Sequence, residues 1–251
     1  MTARDLYDAF GFPESTRLGK RVFKKHLLDN GNLTAADKRS LSDTVGAITW
    51  QYTLKPATIA IKSFRDSERE YDEIALLEVE IESRQRVERL AEIFHRTIPY
   101  PLLLVFVDNR GVQLSAAPKR IHLSERERIV VEYFEQTTWL EVQSISSVQR
   151  AFLQSLAIGA LPNLNFQVLY DAWLQRIVAL QCAELSGAFR LYSSSTVAER
   201  RDALASCRGI EREIRSLRTA IRAETSFARK LELNTEIKSL EIKLQKDVAE
   251  L

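Results

Sequence analysis

Glu78 and Glu80 are the pair in this chain best spaced for chemistry. They stand two apart in Leu76-Leu77-Glu78-Val79-Glu80-Ile81, so an extended strand projects both carboxylates from one face. Two carboxylates on one face are what a hydrolytic Mg²⁺ site requires, since together they hold the ion that activates a water. Such a site also needs a further acid on a neighbouring strand and a lysine to orient the attacking water. The neighbouring strand at Thr58 to Ile61 offers no acid, Asp66 and Asp72 being the nearest substitutes, and no lysine accompanies the pair. Glutamates at alternate positions also commonly mark the water side of a strand, and that reading outweighs the metal one. The leading reading therefore assigns no catalytic residue and no cofactor. Its runner-up is a Mg²⁺-dependent nuclease with Glu78, Glu80 and Asp72 as catalytic carboxylates, Glu78 and Glu80 binding the metal.

Other chemistry is thinner. Basic residues cluster at Lys20, Arg21, Lys24, Lys25 and His26, at Lys38 and Arg39, and at Lys119, Arg120 and His122. If the patches converge they suit phosphate contacts, although a solvated surface carries more weight. His26, His95 and His122 stand apart, so no zinc cluster or nucleophilic triad is written in the spacing. The two cysteines, Cys182 and Cys207, make neither a disulfide framework nor, alone, a metal site. Gly46, Gly111 and Gly159 are isolated, which argues against a phosphate-cradling loop. Trp50, Trp139 and Trp173 sit in apolar periodicity and read as core.

Bulk properties narrow the class. The chain has 251 residues, 45% hydrophobic and 28% charged, ordinary for a globular protein. With 36 basic against 34 acidic residues the net charge is only +2, so any nucleic-acid footprint must be local. No apolar run reaches the length of a membrane span and no leader precedes the first helix, so the expected location is the cytoplasm, without membrane contact.

The elements that must position these residues follow from periodicity. Asp5 to Phe10 reads as a short helix stopped by Gly11, Lys20 to Leu28 as a second ended by Asn30-Gly31, and Thr34 as the cap of a third, to about Val45, ended by Gly46. Ile48, Trp50, Tyr52 and Leu54 alternate with polar residues, a strand signature. Thr58 to Ile61 suggests a short second strand, Tyr71 to Glu82 a third, and Ser83 to His95 a helix. Pro101 to Val107 is so continuously apolar that it predicts a central strand covered on both faces. Asp108 to Gly111 turns into a hairpin strand to Ala116, a short strand follows at Lys119 to Leu123, and Ile129 to Leu140 is ambiguous. Ala151 to Ile158 and a long helix capped by Asn165 and closed at Gly187 make the chain helical, with a linker at Ser193 to Ser195.

The tail carries two apolar stripes out of phase. Ile210, Ile214, Leu217 and Ile221 form one, with Arg208, Arg212, Arg215, Arg218 and Arg222 on the opposite face. Leu233, Ile237, Leu240, Leu244, Val248 and Leu251 form another, whose centre at about 100° per residue lies roughly 150° from the first. One straight helix cannot bury both. A break near Glu224 to Phe227, folding the first stripe onto the second, is the better solution, with an unbroken helix covered by different partners as the alternative. The arginines suit bidentate contacts to carboxylate or phosphate, with protein contact or solvation favoured over nucleic acid.

The helix, three strands, helix and strand from Thr34 to Val107 resemble in order the restriction-endonuclease-like core, which other folds share. More of the chain is similar to a bacterial family known only as a domain of unknown function. Lys55-Pro56-Ala57-Thr58-Ile59, Ile98 to Phe106, Lys119-Arg120-Ile121 and Leu233 to Glu241 carry that likeness. It implies a neighbourhood of helicases and DNA methyltransferases of restriction-modification or phage-defence loci, and no catalytic residues. Phe227, Glu232, Leu233, Ile237 and Leu240 also resemble the helical hairpin of excision-repair nuclease subunits, but the spacer before Phe227 is shorter here.

The expected architecture is α+β: a mixed-sheet domain over residues 1–142, a helical segment over 143–193 and a hairpin or coiled-coil tail over 194–251. The expected function is a non-catalytic accessory protein of a DNA-defence or DNA-processing assembly. Its tail self-associates or docks a partner such as a helicase or methyltransferase. Alternatives are the nuclease and a nucleic-acid-binding module without chemistry. Contacts to nucleic acid or partner fall to Lys24, Lys25, Lys38, Arg39, Lys119, Arg120 and the five arginines.

Overall fold

A computed structural model describes residues 1–30, 33–121, 129–191 and 196–251. The chain divides into two compact units, Met1–Ile177 and Val178–Leu251, so the expected middle segment 143–193 is shared between them. The expected linker at Ser193 to Ser195 and the candidate His122 lie outside the described residues.

The first unit begins with α1 (Ala3–Phe10), β1 (Arg17–Arg21), α2 (Lys24–Asn30), α3 (Ala35–Thr44) and β2 (Val45–Leu54). Capping boxes at Thr2 and Thr34 start α1 and α3, and Gly11, at φ 61°, closes α1. Two expectations are corrected here. Lys20 and Arg21 belong to an edge strand, because β1 pairs antiparallel with β2 through Lys20 opposite Trp50. All five residues of β1 are exposed, so it carries no apolar alternation for periodicity to detect. Gly46 lies inside β2 rather than ending α3, the chain turning directly from Thr44 into the strand.

The rest of the first unit comprises β3 (Phe64–Arg65), β4 (Glu70–Tyr71), β5 (Ile74–Ile81), α4 (Val87–Thr97), β6 (Leu102–Val107), β7 (Gly111–Ala116), β8 (Lys119–Ile121), β9 (Ile129–Val131), β10 (Glu135–Gln136), β11 (Leu140–Glu141), α5 (Ser147–Gln154) and the first part of α6 (Phe166–Ser186). Thr58 to Ile61 is a turn, not a strand: Pro56 opens it, and the Thr58 hydroxyl accepts from the Lys55 N–H and donates to the Thr53 carbonyl. The helix expected from Ser83 begins only at Val87, after Arg86 at φ 62°. Ser83 instead caps the N–H of Gln85. The ambiguous stretch from Ile129 resolves into three short strands. Helix α5 runs earlier than expected, from its Ser146 capping box.

Among the described residues the main sheet has the order β1-β2-β5-β6-β7-β10, with β11 also on β7. Only β5 and β6 are parallel, joined by α4; the central place of β6 is as its apolar run predicts. The sheet is covered twice. Ala75, Leu77, Val79, Leu104 and Phe106 pack with Leu27 of α2, Leu41 of α3 and Leu90 and Phe94 of α4. The opposite set, Leu76, Leu103 and Val105, is equally buried. On that side the Tyr170 hydroxyl of α6 donates to the Leu102 carbonyl at 2.8 Å, and Trp173 meets Phe10 edge-on.

A bulge sets which face β2 presents. Trp50 pairs with Leu77 but Tyr52 pairs with Leu76, so one extra residue reverses the side-chain alternation. Trp50 joins the α2–α4 core, whereas Tyr52 turns to the other face, beside Tyr7 and Phe12.

In the second unit α7 (Val197–Ala223) and α8 (Phe227–Ala249) form an antiparallel hairpin. Ile210, Ile214 and Ile237 make its seam with Leu217, Ile221, Leu240 and Leu244. This is the fold-back expected as the better solution of the stripe phases, rather than the unbroken helix. No glycine or proline enforces the break. The Glu224 carboxylate accepts the N–H groups of Thr225 and Ser226, and Ser226 then caps α8. Nearer the hairpin's open end Val178 and Cys182 of α6 pack with Leu204, Cys207 and Leu251.

Candidate functional site

The paired carboxylates sit on β5, one on each side of Val79, and their surroundings differ. The Tyr7 hydroxyl of α1 donates to Glu78 at 2.5 Å. Burial and then the Glu78 charge push that phenol well above its usual range, so Tyr7 stays protonated and Glu78 keeps a donor. Glu80 is exposed at the C-terminal end of the strand, where Gly46 of β2 lies against it. Asp72 lies beyond the opposite end of β5 and is held with Glu70 by Arg65, at 2.7 and 2.6 Å. Asp66 caps the N–H groups of Glu68 and Arg69. The fold thus keeps Glu78 and Glu80 on one face and places Asp72 away from them. Among the described residues no group of three or more Asp, Glu, His or Cys side chains stands where it could hold a metal ion.

The basic candidates separate sharply. Lys119 is not a surface contact, which corrects the expectation. It is 3% exposed, and its ammonium donates to the carbonyls of Ile98 and Tyr100. Spacing could not reveal this, because a lysine beginning a short strand reads as polar whichever way it points. Arg120 is half-buried on β8. Lys25, Lys38 and Arg39 are exposed. The Lys24 ammonium reaches the Ser42 carbonyl at 3.2 Å, and Ser42 lies one turn after Lys38 on α3, so α2 and α3 bring Lys24 and Lys38 to a common surface. Phe23, which sequence reasoning passed over, directly precedes Lys24 at the start of α2 and is 64% exposed. The available signal was an aromatic inside a basic run with no apolar partner at helical or strand spacing.

Two further clusters are structural. Arg84 forks between Asp108, at 2.8 and 3.0 Å, and Glu141, at 2.5 Å, while stacking 3.9 Å from the Trp139 ring. It pins the β5–α4 connection to the β6–β7 turn. His95 on α4 shares a 3.0 Å hydrogen bond with Ser115 of β7. Both are fully enclosed, and burial together with Lys119 drives the imidazole well below its usual range, so it is held neutral.

On the hairpin, all five candidate arginines of α7 are exposed, and Arg218 pairs with Glu241 of α8 at 2.7 Å. The more telling feature is apolar. Phe227, Leu231 and Ile242 on α8 are 81%, 60% and 70% exposed. At about 100° per residue they fall within one 60° arc, turned away from the seam residues Leu233, Ile237, Leu240 and Leu244. Leu231 and Leu240, with Glu232, Thr235, Glu236 and Ser239, line an open cavity of about 580 Å³ on the same helix.

Among the described residues no helix is long and apolar enough to cross a membrane. No curated protein and no solved structure matches the chain. One family does, over residues 10–244, which takes in the mixed sheet and most of the hairpin alike. The chain accordingly belongs to the family described as Domain of unknown function (DUF4391).

Proposed function

We propose that this protein is a non-catalytic accessory component of a DNA-defence or DNA-processing assembly, and that the outward side of α8 docks its protein partner. The observation that carries the reading is the stripe of Phe227, Leu231 and Ile242. Burying a large apolar side chain stabilises by about 1.5–3 kcal/mol, and three such residues on one side of a helix already packed on its other side offer separate anchor points for a further helix. A helicase or DNA methyltransferase is the partner that the family resemblance suggests, with a second copy of the chain as the other occupant.

The test uses the full chain. Leu231→Glu and Ile242→Glu alter exposed positions, so the fold should persist, as helical circular dichroism will check. Affinity capture from a host expressing neighbouring helicase and methyltransferase genes, with light scattering of the purified protein, should lose the bound partner or the dimer mass in the double variant. Equal recovery and equal mass for wild type and variant would reject the hairpin as the docking element.

A further inference from the structure

We propose that the surface formed by β1, the start of α2 and α3 binds single-stranded nucleic acid, with Phe23 as a stacking platform and Lys20, Lys24, Lys25, Lys38 and Arg39 tracking the phosphates. The site lies in the first unit and is independent of the hairpin.

The placement comes from pairing and packing. Opposite residues of an antiparallel pair share a face, so Lys20, opposite Trp50, lies on the side of the sheet that α2 and α3 cover, whereas Arg21, opposite Thr49, lies on the other. Phe23 follows two residues later, and its carbonyl accepts the first helical N–H, from His26. Lys24 then joins α2 to the end of α3 through Ser42, with Lys38 and Arg39 one turn before. Lys20 on the sheet edge, Lys24 and Lys25 at the helix start and Lys38 and Arg39 on the helix face thus lie on neighbouring elements, with the exposed ring of Phe23 between the first two.

Charge and chemistry select the ligand. Among the described residues the ion pairs of the first unit are made by Arg17, Arg65, Arg69, Arg84, Arg89, Arg96 and Arg110, and none engages Lys20, Lys25, Lys38 or Arg39. Asp37, next to Lys38, is buried and paired with Arg89, and Asp29 and Asp43 are exposed; against Lys20, Arg21, Lys24, Lys25, Lys38 and Arg39 these three carboxylates leave an excess of three positive charges over residues 20–43. Unpaired cations favour a polyanion, and an exposed phenyl ring adds stacking affinity for a polyanion that also offers a flat face. A duplex hides its base faces in the stack; a single strand presents them, and base stacking on an aromatic is tolerant of sequence. An acidic peptide offers the charge without the face.

Fluorescence anisotropy of the full chain with a labelled oligothymidylate of about 15 nucleotides, within the usual site size, tests this. Binding should weaken with salt, as counterion release requires. Phe23→Ala should lower affinity about fivefold to a hundredfold, as loss of one stacked base does, leaving the salt slope unchanged, and Phe23→Trp should restore it. Removing Lys38 and Arg39 together should instead flatten the slope by about 1.4. No binding at low salt, equal affinity for a duplex or a polyglutamate peptide, unaltered binding by these variants, or loss of binding on changing Arg212 and Arg215 to Ala instead would each overturn the proposal.

Discussion

Lys119 places an ammonium where water cannot reach it, against the carbonyls of Ile98 and Tyr100. Burial pushes its pKa down to about 7 from an ordinary 10.5. Between those values the unfolded chain holds a proton that the native chain has released. The unfolded state then binds more protons, and stability rises with pH. Below pH 7 both states are charged and the penalty is fully present; above about 10.5 both are neutral and it is gone. At about 1.4 kcal/mol per pH unit, the full displacement is worth about 4–5 kcal/mol, of which about 2 kcal/mol is recovered between pH 7 and 9. The neighbouring groups titrate earlier. His95 is pushed well below its usual range, and Asp171, its carboxyl raised by burial to about 6, has completed its change by pH 7. Urea unfolding is the assay, followed by tryptophan fluorescence, because Trp50, Trp139 and Trp173 all lie in the first unit. The midpoint should rise by about 1 M from pH 7 to 9, and Lys119→Met should make it flat over that interval. A flat profile in the wild type, or the same rise in the methionine variant, would refute the reasoning.

Ile237→Ala opens the hairpin seam and should cost the second unit about 2–5 kcal/mol, seen as lost amide-exchange protection along α8, while Ile242→Ala, on the exposed side, should cost almost none; equal effects would contradict the seam. Arg84→Ala leaves Asp108 and Glu141 without their shared cation and should cost about 3 kcal/mol. Arg84→Lys should recover under half of it, since a lysine supplies neither the fork nor the stack on Trp139, and full rescue would count against that geometry. The same arginine governs the acid limb. With burial opposing, hydrogen bonds from Arg84 and the backbone hold Asp108 down at about 2, so the stability it contributes is complete above an ordinary carboxylate pKa of 3.8 and is lost as pH falls toward 2. Acid unfolding of Arg84→Ala should show that loss largely removed.

The local features of the sequence translated directly into structure. Thr34 caps its helix through its own hydroxyl, and the run from Leu102 to Val107 is the central strand because no solvated face could accept it. The tail folded back because two stripes of fixed phase cannot share one buried side. Each of these is decided by residue type and spacing along one continuous segment of chain.

Other positions depended on partners distant in sequence. Lys20 and Arg21 became an edge strand because β2 had a free edge to pair with, and an exposed strand bears no apolar alternation. The bulge between Trp50 and Tyr52 sent two residues of apparently one stripe to opposite faces, since a single inserted residue shifts the register without altering residue type. Lys119 went inside and Phe23 outside, the reverse of what their chemistry suggests in isolation. Glu78 met Tyr7 across 71 positions, while Asp72, only six away, lies past the other end of the strand. Hydrophobic period and capping chemistry are short-range and therefore written along the chain. Burial, pairing register and the company a charge keeps are set by which distant segments compete for the same surface, and only the packed fold settles that competition.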